Sequence, residues 1–304
     1  MSPFTISALV GLLALSSSSI LTHGAPNEPV VFPPSGKVPP VDSPQVRQWL
    51  SEINLSGAPN IALNTARPGN PPDCPTRVRE GVCDWACGGC SADDVVECPV
   101  KNEWAPTFDN GPTEATPQLL DFLEEMDVKA TFFVVGGNAA QYPKMIMRQD
   151  DDGHQLGSHS WSHTAFTTLT NEEIVAEIRW TEKAIYDATS RKVKYFRPPY
   201  GDMDNRVRYV LRQLGYTVVQ WTPGPFDFLH TKDPGSVENQ ISKFKSAIES
   251  HTEDQSRTSG LITVESDETN DQVTVAKAGL EEGRKRGLDL VTIAACLKDE
   301  RVYA

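Results

Sequence analysis

The chain has 304 residues, with 41 Asp and Glu against 28 Lys and Arg, a formal net charge of −13. A surface that acidic repels phosphate backbones and anionic lipid, which argues against nucleic acid and membrane as partners. With 38% hydrophobic and 23% charged residues the chain can bury a core, and wholesale disorder is excluded.

Residues 1–25 read as a signal peptide. Ile6 to Leu15 is an apolar core of suitable length, and Gly24 and Ala25 are small residues suited to cleavage, although no Lys or Arg precedes the core. No later run is apolar enough for a membrane span. Residues 26–73 carry 11 of the 23 prolines and form an extended lead-in. A short helix interrupts it at Ser43-Pro44, with Val46, Trp49, Leu50 and Ile53 at helical spacing. Asn54-Leu55-Ser56 is a glycosylation sequon on an exported chain. Residues 74–99 form a segment with Cys74, Cys83, Cys87, Cys90 and Cys98, too short for its own core, which must lean on the rest of the chain. An even count of six cysteines behind an export signal points to three disulfides. Cys87 and Cys90 have the spacing of half a zinc knuckle, but no second pair stands at matching spacing. Cys296, far along the chain, ties the C-terminus back to the cluster.

Over residues 100–304 strand-like and helix-like segments alternate. Apolar runs fall at Ala130–Val135, Val193–Phe196, Thr217–Trp221, Gly260–Val264 and Leu290–Ala294. Helical patterns fall at Pro117–Met126, Asn171–Thr189, Asp204–Leu214, Val237–Ser250 and Asp271–Arg286. This alternation predicts an α/β fold with a parallel sheet, open or closed into a barrel, whose chemistry sits beyond the C-terminal ends of the strands.

Three segments have the residue types for such chemistry. In Gly157 to His163, His159 and His163 stand at i and i+4, a spacing that on a helix aims both imidazoles at one divalent metal, though such pairs also occur as packing residues. Asp109 ends an apolar strand and is followed by Asn110-Gly111-Pro112, which in isolation is a plain turn. Phe196 to Gly201 again follows a strand. Its Arg197 is suited to orienting a carboxylate and its backbone N–H groups to facing an oxyanion, while its prolines alone describe a stiffened loop.

In this order and spacing the segments resemble the polysaccharide deacetylase (NodB-homology) family, and within it the fungal chitin deacetylases, over residues 74 to 297. The resemblance implies a distorted (β/α) barrel that removes acetyl groups from N-acetylglucosamine units of chitin or its oligomers. It implies a Zn2+ ion, or another divalent such as Co2+, bound by His159 and His163, with Asn110 at the third ligand position. Asp109 takes the place of the catalytic base, Arg197 of the residue that orients it, and the Tyr200 backbone N–H that of an oxyanion donor. Trp221, Asp227 and Val264 take the places of substrate-pocket residues. The export signal and the cysteines predict a location outside the cell or in the cell wall, and a monomer is expected.

Three positions depart from the family pattern. Asn110 stands where the pattern has a metal-binding Asp, Gly224 replaces the first Asp of the segment Trp221 to Phe228, and Ser266 stands where the pattern has a general-acid His. A serine hydroxyl is far too weak an acid for that task, and losing a general acid costs roughly 10²–10⁴ in rate. Strand alternation turns Glu265 to the opposite face, and Asp267 needs a bulge to reach inward. His154, His230 and His251 are candidates for a displaced acid. The sequence therefore predicts a deacetylase with impaired turnover. Two alternatives stand beside it: an inactive chitin-oligosaccharide-binding pseudoenzyme, and a glycoside hydrolase using Asp109, Asp227 and Asp267.

Overall fold

The apolar runs and amphipathic segments separate into short strands and longer helices in the computed structural model of the chain, which describes residues 31–65, 70–74, 80–91, 93–224 and 235–304. The signal-peptide segment 1–25, Asp227 and His230 lie outside the described residues. Two short helices come first, α1 (Pro44–Ser51) and α2 (Trp85–Gly88). Then follow β1 (Glu103–Ala105), β2 (Thr107–Asp109), α3 (Thr116–Glu125), β3 (Thr131–Val134), α4 (Gly136–Gln141), α5 (Pro143–Asp151), β4 (Gln155–Ser158) and α6 (Asn171–Thr189). The chain continues with β5 (Tyr195–Phe196), α7 (Asn205–Gln213), β6 (Thr217–Val218), α8 (Val237–Glu253), β7 (Leu261–Ile262), β8 (Glu265–Ser266), α9 (Asn270–Lys285), β9 (Asp289–Leu290) and α10 (Ile293–Cys296).

Local chemistry sets the helix starts. Ser43 caps α1 by accepting from the Val46 N–H, with Pro44 in the first turn where its missing N–H costs nothing. Thr170 with Glu173 opens α6 and Thr269 with Gln272 opens α9, each a reciprocal pair that satisfies two orphan N–H groups. The run at Leu290–Ala294 behaves differently from its reading as a strand. The strand stops at Leu290, and Thr292 accepts from the Ala295 N–H to start α10. A side-chain acceptor there outcompetes the ladder.

Among the described residues every strand pair is parallel, in two sheets of order β6-β5-β4-β3-β2-β8 and β7-β1-β9. The sheets are parts of one wall. Pro106 interrupts β1–β2, and Thr263-Val264 interrupts β7–β8 in step. On the far side, the Thr222 N–H donates to the Ile262 carbonyl at 2.9 Å and the Ile262 N–H donates to Thr222 Oγ1 at 2.9 Å. These bonds join the chain after β6 to β7 and close the wall into the distorted barrel.

Residues Phe32–Ala304 form one compact unit. Its largest core cluster holds Phe108, Phe132, Leu156, Trp161, Ile178, Phe196 and Val273. The lead-in packs against this core: Phe32 stacks on Trp161 at 5.7 Å, Trp49 meets Trp180 edge-on at 5.1 Å, and Trp161 Nε1 donates to the Pro34 carbonyl. Disulfides Cys74–Cys87 and Cys83–Cys90 staple the Cys-rich segment, and Cys98–Cys296 ties the C-terminus back to it.

Candidate active site

Parallel register brings the ends of several strands level. Asp109 pairs with Ser266 on one side and Phe133 on the other, Val134 pairs with Ser158, and Ser158 with Phe196. The residues just past those ends, Asn110, His159, Arg197 and Asp267, therefore converge at one mouth of the barrel.

Arg197 is the best-anchored group in it. Fully buried, it donates from Nη1 to Asp109 Oδ1 at 3.0 Å and to Thr107 Oγ1, from Nη2 to the Gln220 carbonyl at 2.8 Å, and from Nε to the Val219 carbonyl at 3.2 Å. Its guanidinium carbon lies 4.4 Å from the Phe133 ring centroid. Burial lowers the Arg197 pKa and the Asp109 carboxylate opposes that, so the two form a buried, satisfied ion pair. Asp109 is thereby held as an oriented carboxylate, with Oδ2 3.8 Å from His159 Nε2.

His159 and His163 do meet, with ring centroids 5.0 Å apart, but they stand on a loop after β4 rather than on a helix face. The loop turns through left-handed residues at Ser160 (φ 70°) and His163 (φ 58°), and the Ser160 hydroxyl accepts from the His163 N–H. His159 donates Nδ1–H to the Arg197 carbonyl at 2.7 Å, because a carbonyl only accepts. That makes Nδ1 the donor nitrogen and turns Nε2 toward Asp109, the orientation typical of metal-binding histidines. His163 Nδ1 lies 3.2 Å from the Tyr200 hydroxyl. Burial first, and then the His159 ring, push the His163 pKa down to about 3, so its imidazole is neutral and able to ligate.

Asn110 follows β2 in the left-handed region at φ 79°, which Asn tolerates better than most residues. Its Nδ2 donates to Ser266 Oγ and to Glu268 Oε2, both at 3.4 Å, while its Oδ1 is buried without a partner. Two imidazoles and an orphaned amide oxygen offer three donors to a divalent ion, with one negative charge fewer than two imidazoles and a carboxylate provide. Among the described residues, the one close grouping of three His, Cys, Asp or Glu donor atoms is Cys98, Glu103 and Cys296. Its sulfurs are disulfide-bonded and do not ligate.

The other sequence-derived residues divide cleanly. Trp221 and Val264 pack together, with Trp85 of α2 edge-on to Trp221 at 5.7 Å. Gly201 lies so close beneath both tryptophans that a Cβ there would sit 2.6 Å from Trp85 and 2.7 Å from Trp221. Gly224 is exposed at φ 130°. Asp267 reaches inward but serves the turn after Asp109. It accepts from Thr116 Oγ1 at 2.6 Å and lies against Gly111, where no Cβ would fit, and burial pushes its carboxyl up to about 7. Glu265 is level with Phe108 and buried, neither carboxyl oxygen closing a well-formed hydrogen bond. Burial pushes it up to about 8, with Thr263 and the Thr107 N–H close enough to oppose that. Of the candidate displaced acids, His154 accepts from the Ala130 N–H and packs on Phe132 at the start of β4, and His251 lies at the end of α8. Neither joins the site.

Three functional neighbours were missed from sequence. Glu177, fully buried on α6, accepts from the Trp161 and Ser162 N–H groups at 2.7 and 2.8 Å and from Ser162 Oγ at 2.5 Å. It holds the histidine loop from behind. A Glu inside the apolar stripe of Ile174, Ile178 and Ile185 was the signal available. Trp85 and Glu268 gave no signal, since each reaches the site through a fold-dependent contact.

A barrel with a buried Arg–carboxylate pair beside two histidines defines the class: the chain belongs to the polysaccharide deacetylase family, whose model matches residues 97–219. Within that family its relatives are fungal chitin deacetylases. It is 45% identical over 195 residues to chitin deacetylase 1 of Cryptococcus neoformans var. grubii, covering 63% of this chain and 40% of that one. It is 38% identical over 263 residues to chitin deacetylase 1 of Saccharomyces cerevisiae, covering 86% and 79%. Among solved structures, it is similar to the chitin deacetylase from the fungal pathogen Colletotrichum lindemuthianum at a TM-score of 0.60 and 28% identity, over 68% of this chain and 92% of that one.

Proposed function

We propose that the chain is a metal-dependent deacetylase of N-acetylglucosamine polymers, chitin or its oligomers, with impaired turnover. The observation that carries this reading is the buried Arg197–Asp109 pair beside the imidazoles of His159 and His163, an arrangement whose burial has no purpose in a plain carbohydrate surface. A bound divalent ion supplies polarisation of the acetamide carbonyl. Asp109, aimed by Arg197, accepts the proton of the attacking water. The Tyr200 N–H, on a backbone turned to φ 61°, donates to the developing oxyanion. Protonation of the leaving amine has no competent donor at Ser266, and this step limits the rate. Acetate release from chitin oligomers under added zinc tests the reading. Slow release that Asn110→Asp with Ser266→His raises at least tenfold supports it, and no release from either protein overturns it.

The orphaned Asn110 oxygen and the serine level with Asp109 favour a second reading, an oligosaccharide-binding pseudoenzyme. Calorimetric binding of N-acetylglucosamine oligomers without acetate release supports that one. The three disulfides support action outside the cell, and among the described residues no helix is long and apolar enough to cross a membrane. Asn54, exposed in a turn closed by Ser56, is accessible for glycosylation there, and a monomer suffices for every contact of the site.

A further inference from the structure

We infer that Glu268 is a positioning residue that compensates for the neutral side chain at position 110, by fixing the Asn110 amide with its oxygen toward the cation and by polarising it. This rests on the metal-dependent reading above. Both hydrogen bonds of the Asn110 amide leave from one end of the group: Nδ2 donates to Ser266 Oγ and to Glu268 Oε2, each at 3.4 Å. The opposite end, Oδ1, is buried and unpartnered, a state that is unfavourable for a polar atom unless something occupies it. Glu268 itself is held in place. Its N–H donates to Ser266 Oγ at 3.2 Å, and its carbonyl accepts from Thr113 Oγ1 at 3.2 Å, so residues 266–268 are stitched to the turn that carries Asn110.

The chemistry follows from the amide's resonance. An N–H that donates to a carboxylate shifts electron density onto the amide oxygen, and a charged acceptor strengthens the effect. A negative charge is thus delivered to the ligand position indirectly, through the amide, where the side chain itself has none. Hydrogen-bond partners of metal ligands are typically worth 10–100-fold in metal affinity. The same geometry reverses its sign when position 110 carries a carboxylate, which has no N–H to donate and is repelled by Glu268.

Zinc dissociation constants, measured by competition with a chromophoric chelator, test this on the full chain without reference to activity. Glu268 is exposed, so its variants should keep the wild-type melting temperature, which is checked in parallel. Expected results are a tenfold or greater weakening in Glu268→Ala and an intermediate loss in Glu268→Gln, which keeps an acceptor but no charge. In the Asn110→Asp background, Glu268→Ala should leave zinc affinity unchanged or tighten it. Equal zinc affinity in wild type and Glu268→Ala overturns the inference and leaves the metal-dependent reading intact. Equal weakening in both backgrounds also overturns it, since a general electrostatic effect explains that result. Absence of zinc from the wild type overturns the inference and the metal-dependent reading together.

Discussion

Replacing Glu177 separates a hydrogen-bond role from a charge role in the support of the histidine loop. The Glu177 side chain accepts three hydrogen bonds from Trp161 and Ser162, and burial pushes its carboxyl from 4.5 up to about 7. Between those values the folded state holds a proton that the unfolded state has lost, so stability falls as pH rises through the interval and the penalty is complete above about 7. At about 1.36 kcal/mol per pH unit the loss is on the order of 3 kcal/mol. In Glu177→Gln the amide oxygen can take both backbone N–H groups, while its NH2 donates to Ser162 Oγ, which turns its own proton to Thr164 Oγ1 2.7 Å away. All partners stay satisfied, so this variant should lie within about 1 kcal/mol of wild type at pH 4.5. At pH 8 it should be the more stable protein, by roughly 2 kcal/mol, because it has no charge to bury. Glu177→Leu instead strands two buried N–H groups and should lose about 2–6 kcal/mol at pH 4.5, a deficit that shrinks by about 3 kcal/mol at pH 8 because Leu has no charge to bury. Urea unfolding of the three proteins from pH 4.5 to 8 measures all of this. A Gln variant whose deficit stays constant or grows with pH would refute the account, and would mean that the three bonds hold Glu177 ionised.

Arg197→Lys, which cannot span Asp109, Thr107 and the two carbonyls at once, should lose about 3–5 kcal/mol in thermal unfolding and abolish any acetate release. Trp85→Ala should weaken chitin-oligomer binding several-fold by unsupporting Trp221, while zinc affinity stays within twofold, as titration of each ligand would report. Replacing Cys98 and Cys296 by Ala opens a loop of 198 residues, for which chain entropy gives a loss of about 5 kcal/mol in denaturant melts. Phe32→Ala uncovers Trp161 and should cost about 3 kcal/mol, with a rise in exposed-tryptophan fluorescence quenching.

The sequence by itself determined the alternation of elements, the bounds of α6 to the residue, the cap at Ser43, and the positions of Asp109, Arg197 and both histidines in their motifs. Those features are local: a 3.6-residue stripe, a capping side chain and a fixed spacing each act within a few residues of chain. Tertiary structure decided the rest. It placed His159 and His163 on a left-handed loop rather than a helix, since Glu177 and the Arg197 carbonyl compete successfully for the groups a helix would use. It closed the barrel through Thr222 and Ile262, paired the cysteines, and kept His154 and His251 away from the mouth. It turned Asp267 onto Gly111 and Thr116, and brought Glu268 to the amide of Asn110 across 158 residues of sequence. Such contacts depend on which strand ends stand side by side, and parallel register, not spacing along the chain, sets that order.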